Sequence, residues 1–128
     1  MSTKSLHHIA MNVSDIDRSI DFYTRAFDFS LVRRWGDDTR AAMLDMGDGT
    51  ILEMFERPAE VGKQGVLIHI ALRADDVDAA YNRAIEAGAG VQTTPRDVDV
   101  QAEEPYPIRI AFVVGPDGEP VELFHERA

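Results

Sequence analysis

The sequence predicts an α+β fold made of two tandem βαβββ modules that form curved mixed sheets. The first observation is an internal repeat, in which residues 6–23 align with residues 67–84 and His8 falls on His69. The second is a shorter repeat near the end of each module, where Glu53 falls on Glu122. The third is the periodicity, which in each copy is strand-like, then helical, then strand-like over three segments. A duplicated unit of this length indicates that one supersecondary structure occurs twice.

Length and composition are typical of a single globular domain. The chain has 128 residues, 45% of them hydrophobic, and a formal net charge of −10. We expect residues 1–128 to form one domain of two repeats, residues 5–56 and 66–126, joined by a short linker at 57–65. The excess of acidic over basic residues argues against nucleic acid as a partner. No cysteine and no membrane-length apolar run are present, so we expect no disulfide, no membrane association and a cytoplasmic location.

The first module should begin with a strand at residues 5–13. Its alternation places His8 and Asn12 on one face and apolar side chains on the other. Ser14 is the expected helix cap, with Asp17 favourable in the first turn of a helix that runs to about Phe27. Strand-like segments follow at residues 29–35, 40–45 and 50–55, separated by Gly- and Asp-rich turns at 36–38 and 47–49.

The second module should repeat this order, with a strand at residues 67–73. Asp75 or Asp76 can cap the next helix, which Gly88 can end in the left-handed conformation. Further strands are expected at residues 91–94, 108–114 and 121–125, with a turn at 116–118. Glu53 and Glu122 are eight residues farther apart than His8 and His69, so the second copy contains extra material. We expect residues 96–107 to form a loop, because they are acidic and contain two prolines.

Two histidines and two glutamates are the strongest candidates for chemistry. Glu53 and Glu122 each lie between apolar neighbours in a strand, where an unpaired carboxylate would be costly. Taken alone, such a Glu is usually on a solvated face and a strand His is usually structural. Four residues at repeat-equivalent positions instead predict one divalent metal site, held by His8, Glu53, His69 and Glu122. Mixed nitrogen and oxygen ligands would suit Ni, Co, Zn, Mn or Fe.

A metal with this ligand set favours proton transfer next to a carbonyl group. In octahedral geometry two coordination positions stay open for water or a small-molecule substrate. The metal would polarise the carbonyl, while Glu53 or Glu122 takes a proton from the adjacent carbon as the catalytic base. The two glutamates are related by the repeat, so the sequence leaves open which of them is the base.

The whole chain resembles the vicinal oxygen chelate superfamily, and most closely bacterial glyoxalase I (lactoylglutathione lyase). The resemblance is carried by the two His and two Glu positions and by the phrases at residues 18–24, 110–113 and 116–118. It implies a metal-dependent lyase or isomerase, with glutathione as a co-substrate. The resemblance also implies a homodimer, because in related proteins the modules often pair between subunits.

The chain departs from glyoxalase I at a substrate-binding position. Related enzymes usually have an Arg four residues after the first ligand His, where it holds a glutathione carboxylate, and here that residue is Asn12. Its repeat equivalent is Arg73, so the anion contact could have moved to the second module. Asn12 and Arg73 are therefore the candidate substrate-binding residues. His7 and His125, on the opposite strand faces, are interpreted as structural or surface residues.

Three other functions of the same superfamily compete with the lyase. An acyl-CoA epimerase would use the same proton abstraction, but its group has Gln where this chain has Glu53. An extradiol dioxygenase needs two His and one carboxylate, and a second Glu would fill one of its open positions. A bleomycin-resistance-type protein binds a small molecule without catalysis, and its members tend to lack the complete ligand set. Metal content of the purified protein separates this binding function from the enzymes.

Overall fold

The computed structural model describes residues 6–36, 40–63, 65, 67–101 and 104–128. By contacts between Cα atoms the chain divides into two compact units, Met1–Lys63 and Gln64–Ala128. Unit one contains β1 (His8–Val13), α1 (Ile16–Phe27), β2 (Ser30–Trp35), β3 (Ala41–Asp45) and β4 (Ile51–Glu56), followed by a short 3₁₀ helix at Pro58–Glu60. Unit two contains β5 (Ile70–Arg73), α2 (Val77–Glu86), β6 (Gly90–Val100), β7 (Tyr106–Val114) and β8 (Pro120–Glu126).

Each unit is a βαβββ module with one four-stranded mixed sheet. The strand order is β1-β4-β3-β2 in unit one and β5-β8-β7-β6 in unit two. In both sheets the first strand of the module runs parallel to the last, and the other neighbours are antiparallel. The predicted α+β class and the tandem βαβββ order are confirmed. The predicted start of the first strand at residue 5 and most of the turn at 36–38 lie outside the described residues.

Each helix covers one face of its own sheet. In unit one, Ile16 and Tyr23 of α1 are fully buried, as are Leu44, Leu52 and Met54 of the sheet. Tyr23 stacks on Phe29 with ring centroids 5.8 Å apart, which closes the end of α1 against the chain leading into β2. In unit two the most deeply buried apolar residues are Val77, Ala84, Ala111, Val113, Val121 and Leu123. Burial on the helix side leaves the opposite face of each sheet for the candidate site residues.

Aspartates cap both helices at equivalent places in the repeat. Asp15 accepts a hydrogen bond from the backbone N–H of Arg18 at 3.2 Å, and Asp76 accepts one from Ala79 at 3.0 Å. The prediction of Ser14 as the first cap was therefore one residue early, because the helix begins at Ile16 and the cap is the residue before it. Of the two candidates for the second cap, the structure selects Asp76. Gly88, with φ of 106°, follows the end of α2 in the left-handed region as expected.

The largest difference from the sequence prediction lies at residues 96–107. They were expected to form a loop, but β6 extends to Val100 and pairs with β7 from Tyr106 onward. The two prolines of this segment are tolerated because Pro105 precedes β7, and Pro107 lies near the start of β7, before its pairing with β8 begins at Ile108. Arg109 neutralises one acidic side chain of the segment by donating to Asp97 at 3.0 Å. The extra material is thus a long antiparallel extension of the second sheet.

Within the described residues, neither helix is long and apolar enough to cross a membrane.

Candidate functional site

The first module places His8 and Glu53 next to each other. In the parallel pair of β1 and β4, His8 lies opposite Ile51 and Ala10 lies opposite Glu53. Both side chains are on the same sheet face, because paired residues and residues two apart in a strand share a face. His8 Nε2 lies 3.6 Å from Glu53 Oε1. This contact brings two of the predicted metal ligands together on one face of the first sheet.

The second module repeats the arrangement with His69 and Glu122. Ala71 lies opposite Glu122 in the parallel pair of β5 and β8, and His69 immediately precedes β5. His69 Nε2 lies 3.1 Å from Glu122 Oε1. An imidazole and a carboxylate therefore approach each other at the same place in both copies of the repeat.

Both carboxylates are almost buried while their imidazole partners are partly exposed. The side chains of Glu53 and Glu122 are 11% and 12% exposed, against 42% for His8 and 30% for His69. In the described ranges the imidazole is the one polar partner found for each carboxylate. A nearly buried carboxylate with a single partner is poorly compensated unless a cation joins it. The donor set of each pair, one imidazole nitrogen and one carboxylate, suits a divalent metal.

His7 contacts His8, which the sequence interpretation missed. The Nδ1 atoms of the two rings are 2.9 Å apart, and the rings meet edge to face with centroids 5.2 Å apart. One of these nitrogens donates and the other accepts. With its Nδ1 engaged in this way, His8 keeps Nε2 toward Glu53. The repeat equivalent of His7 is Ile68, so His69 lacks such a neighbour in the second module.

His69 is instead positioned by an aromatic ring. Phe112 lies opposite Glu122 in the pairing of β7 with β8, and its ring meets that of His69 at 90° with centroids 5.2 Å apart. The corresponding residue opposite Glu53 is Met43. The two modules therefore share their polar pair and differ in what surrounds it.

The two candidate substrate-binding residues occupy equivalent exposed positions. Asn12 lies opposite Phe55, and Arg73 lies opposite Phe124. The Arg73 side chain is 83% exposed and its Nη1 lies 3.5 Å from Glu126 Oε1. Partial burial raises the pKa of Tyr106, and the nearby Glu126 carboxylate raises it further. Arg73 therefore already shares a carboxylate partner with a tyrosine on its own sheet.

The structure shows the four predicted metal ligands as two His–Glu pairs, one within each unit. Among the residues that the structure describes, no cluster of three or more His, Cys, Asp or Glu side chains is arranged to hold a metal ion. The joint action of all four residues on one ion stays a prediction.

The chain is thus an α+β protein with an internal duplication. It consists of two βαβββ modules, and each has a His–Glu contact at the same place in the repeat. A family model described as the Glyoxalase/Bleomycin resistance protein/Dioxygenase superfamily matches residues 5–123. The chain belongs to this superfamily.

Curated relatives include proteins named as lyases. A probable lactoylglutathione lyase from Vibrio cholerae is 32% identical, covering 99% of this chain and 94% of the relative. A lactoylglutathione lyase from Escherichia coli O157:H7 is 27% identical over 95% of this chain and 93% of the relative. Another relative, 30% identical over 98% of this chain and 99% of its own length, is the uncharacterized protein YaeR of Escherichia coli K12. The superfamily is therefore shared by relatives with and without an assigned activity.

Solved structures agree with the fold. Glyoxalase I from Zea mays superposes with a TM-score of 0.76 at 27% identity, over 96% of this chain and 44% of the maize chain. A glyoxylase/bleomycin resistance protein/dioxygenase domain from Frankia sp. EAN1pec superposes with a TM-score of 0.78 over 98% of this chain and 100% of that domain. The second structure is 20% identical and supports the fold alone.

Proposed function

We propose that this protein is a divalent-metal-dependent lyase or isomerase similar to glyoxalase I, which moves a proton next to a carbonyl group of a small substrate. The observation that carries the proposal is the pair of repeat-equivalent contacts, His8 with Glu53 and His69 with Glu122. Two imidazole nitrogens and two carboxylates nearly balance the charge of one divalent ion. The relatives named as lactoylglutathione lyases support the choice of reaction.

The proposed ligands are His8, Glu53, His69 and Glu122, so each module supplies one nitrogen and one oxygen. A bound divalent ion would supply Lewis acidity toward the substrate carbonyl. The residues of the chain would hold the substrate and move the proton. Ni, Co, Zn, Mn and Fe all fit these ligands.

The proposed base is Glu53 or Glu122. Each carboxylate lies on the site face of its sheet beside an imidazole, and a carboxylate positioned in this way can accept a proton from a bound substrate. It would remove the proton from the carbon that carries the hydroxyl group of a hemithioacetal. The same carboxyl group would then return the proton to the neighbouring carbon, and the hydroxyl proton would pass to the former carbonyl oxygen, leaving a hydroxy thioester. Asn12 and Arg73, each on the site face of its sheet, would bind the rest of the substrate, with glutathione as the thiol.

The test is isomerisation of the methylglyoxal–glutathione hemithioacetal by the full-length protein. The metal-stripped protein is compared with protein loaded in turn with Ni²⁺, Co²⁺, Mn²⁺, Zn²⁺ or Fe²⁺. We expect thioester formation to require metal. Of Glu53→Gln and Glu122→Gln, the variant that lacks the base should lose about 10²- to 10⁴-fold in kcat even when saturated with metal.

Glu86→Gln is the matched control, because Glu86 is an exposed carboxylate at the end of α2. It should leave both metal content and kcat unchanged. Stoichiometric metal binding without turnover would retain the metal site and reject this substrate. A protein that binds none of these metals, while still binding small molecules, would reject the enzyme and favour the binding-protein alternative.

We also propose that the protein works as a homodimer, as the resemblance to glyoxalase I implies. Sedimentation equilibrium of metal-loaded protein should give twice the mass of one chain. A monomeric mass with metal still bound and activity intact would reject the homodimer.

A further inference from the structure

A second group of side chains lies beside Glu53 on the same face of the first sheet. The strand register aligns Asn12, Phe55, Ala41 and Trp35 across the four strands, in that order. Phe55 is two residues after Glu53 in β4, so its side chain is on the site face. Arg57 is two residues after Phe55, just beyond the end of β4. These residues thus extend the site face in one direction from the His8–Glu53 pair.

Phe55 is in contact with both an aromatic ring and a cation. The Trp35 ring meets it edge to face, with centroids 6.3 Å apart, and Arg57 Cζ lies 4.7 Å from the centroid of the Phe55 ring. Ala41, only 1% exposed, lies between the two aromatic residues in the row. Trp35 remains 41% exposed. We call Asn12, Trp35, Phe55 and Arg57 the aromatic–guanidinium row.

Arg57 has no carboxylate partner in the described part of the chain, although acidic residues outnumber basic ones by 23 to 13. The adjacent Glu56 is engaged elsewhere, since its Oε2 accepts from the backbone N–H of Ile16 at 2.8 Å. By contrast, Arg34 and Arg40 of the same module both contact Asp17. In so acidic a protein, a guanidinium held on an aromatic ring without an acid is available for an anion from outside.

The second module lacks such a row. Phe124, the repeat equivalent of Phe55, has Tyr106 as its ring neighbour, with centroids 6.2 Å apart. In the corresponding row Ile110 takes the place of Ala41, and Arg96 takes the place of Trp35. The small buried residue Ala41 and the exposed indole of Trp35 therefore distinguish the row of the first module from that of the second. The repeated fold alone does not account for them.

We propose that the aromatic–guanidinium row binds a planar aromatic carboxylate. The aromatic ring of the ligand would lie against the exposed indole of Trp35, and its carboxylate would accept two hydrogen bonds from Arg57. The Asn12 amide adds a donor at the other end of the row. If the proposed function holds, this site receives the non-reacting substituent of the carbonyl compound and not its thiol. At about 3.3 Å per residue, Arg57 lies roughly 13 Å along the chain from Glu53, so an aryl group fits between the carboxylate and the reacting carbonyl.

Trp35 is the single tryptophan, so its fluorescence reports directly on this site. The experiment titrates benzoate into metal-stripped, full-length protein and follows the tryptophan emission. We expect a saturable change. Benzamide, a neutral molecule of the same shape, should bind about tenfold more weakly, because it lacks the charge-assisted pair with Arg57. Cyclohexanecarboxylate, which keeps the charge but has no flat ring, should also bind more weakly.

Arg57→Gln should weaken benzoate binding about tenfold and leave benzamide binding unchanged. Arg18→Gln is the matched control, since it removes the same charge from the exposed surface of α1 and should alter neither titration. Arg57→Lys should recover only part of the affinity, because an ammonium group cannot form the planar two-point contact. Far-ultraviolet circular dichroism verifies that each variant is folded.

Equal affinity for benzoate and benzamide would overturn the proposal, as would benzoate binding unaffected by Arg57→Gln. An absence of any saturable change would overturn it as well. Because the protein is metal-stripped, these outcomes do not depend on the lyase assay. Benzoate binding without any isomerase activity would reject the proposed reaction and retain the row. Isomerase activity without benzoate binding would reject the row and retain the proposed reaction.

Discussion

At the scale of single residues, the repeat selected the candidate metal ligands. His8, Glu53, His69 and Glu122 are predicted because each recurs in the other copy, and the structure brings each His–Glu pair into contact. The contact of His7 with His8 could not be derived in this way. The strand begins at His8, so alternation does not constrain the residue before it. Two adjacent histidines at the start of a strand are the signal that could have prompted the search.

Asp17 gives a residue-scale prediction about acid stability. Its carboxylate accepts hydrogen bonds from Arg40 and from Arg34, and these bonds hold the pKa of Asp17 below its ordinary value of 3.8. A depressed pKa stabilises the fold above the ordinary value, and this stabilisation is lost as the pH falls through the folded-state pKa. Asp17→Asn should therefore modestly lower the thermal unfolding midpoint at neutral pH. The difference from the wild-type protein should shrink below pH 3.8.

Asp21→Asn is the control for this measurement. It removes the same charge from the same helix, where the carboxylate pairs with Arg25 one turn away and with no strand residue found in the described ranges. Thermal unfolding followed by circular dichroism at several pH values compares the two variants. A constant difference for Asp17→Asn across the acid range would contradict the role of the ionised carboxylate.

At the scale of elements, the helices and most strands followed from periodicity, whereas β6 did not. Prolines and acidic residues indicate a loop when each is considered alone. Here the two prolines lie just before and near the start of β7, where a strand tolerates them, and arginines from other elements offset the charge. Arg109 bridges Asp97 and Asp78, and Arg127 contacts Asp99 at 2.5 Å. Such partners are distant in sequence, so local patterns could not reveal them.

The cap of α2 gives an element-scale prediction. Asp76 accepts a hydrogen bond from the backbone N–H of Ala79 at 3.0 Å and satisfies a donor that the helix itself cannot. Asp76→Ala should lower the free energy of unfolding by about 1 kcal/mol. Asp75→Ala, one residue earlier, should change it by less than about 0.5 kcal/mol. Urea denaturation measures both, and equal losses would show that general charge near the helix end, instead of the cap, supplies the stability.

At the scale of the whole molecule, the two units raise the question of cooperativity. We predict one domain, so that a defect in either unit should weaken the whole protein. Met54 and Leu123 are repeat-equivalent residues, 0% and 1% exposed, in the last strand of each module. Replacing either with Ala removes a buried side chain and should cost about 2–5 kcal/mol.

Differential scanning calorimetry of Met54→Ala and Leu123→Ala distinguishes the two cases. In a single domain each variant should show one transition, shifted to lower temperature, with equal calorimetric and van't Hoff enthalpies. Two transitions, of which only the one belonging to the altered unit moves, would show that the units unfold independently and would reject the single-domain prediction.

The parallel pairing of the first and last strands of each module has an evolutionary consequence. It brings the histidine from the beginning of a module to the glutamate near its end, so one copy of the ancestral gene segment already encoded a complete pair. Duplication of that segment then gave two such pairs, and no new contacts had to evolve within either module. Each copy could then diverge around its own pair, and the repeat-equivalent residues do differ, Asn12 from Arg73 and Met43 from Phe112. The differences around the two His–Glu pairs are, on this view, younger than the pairs themselves.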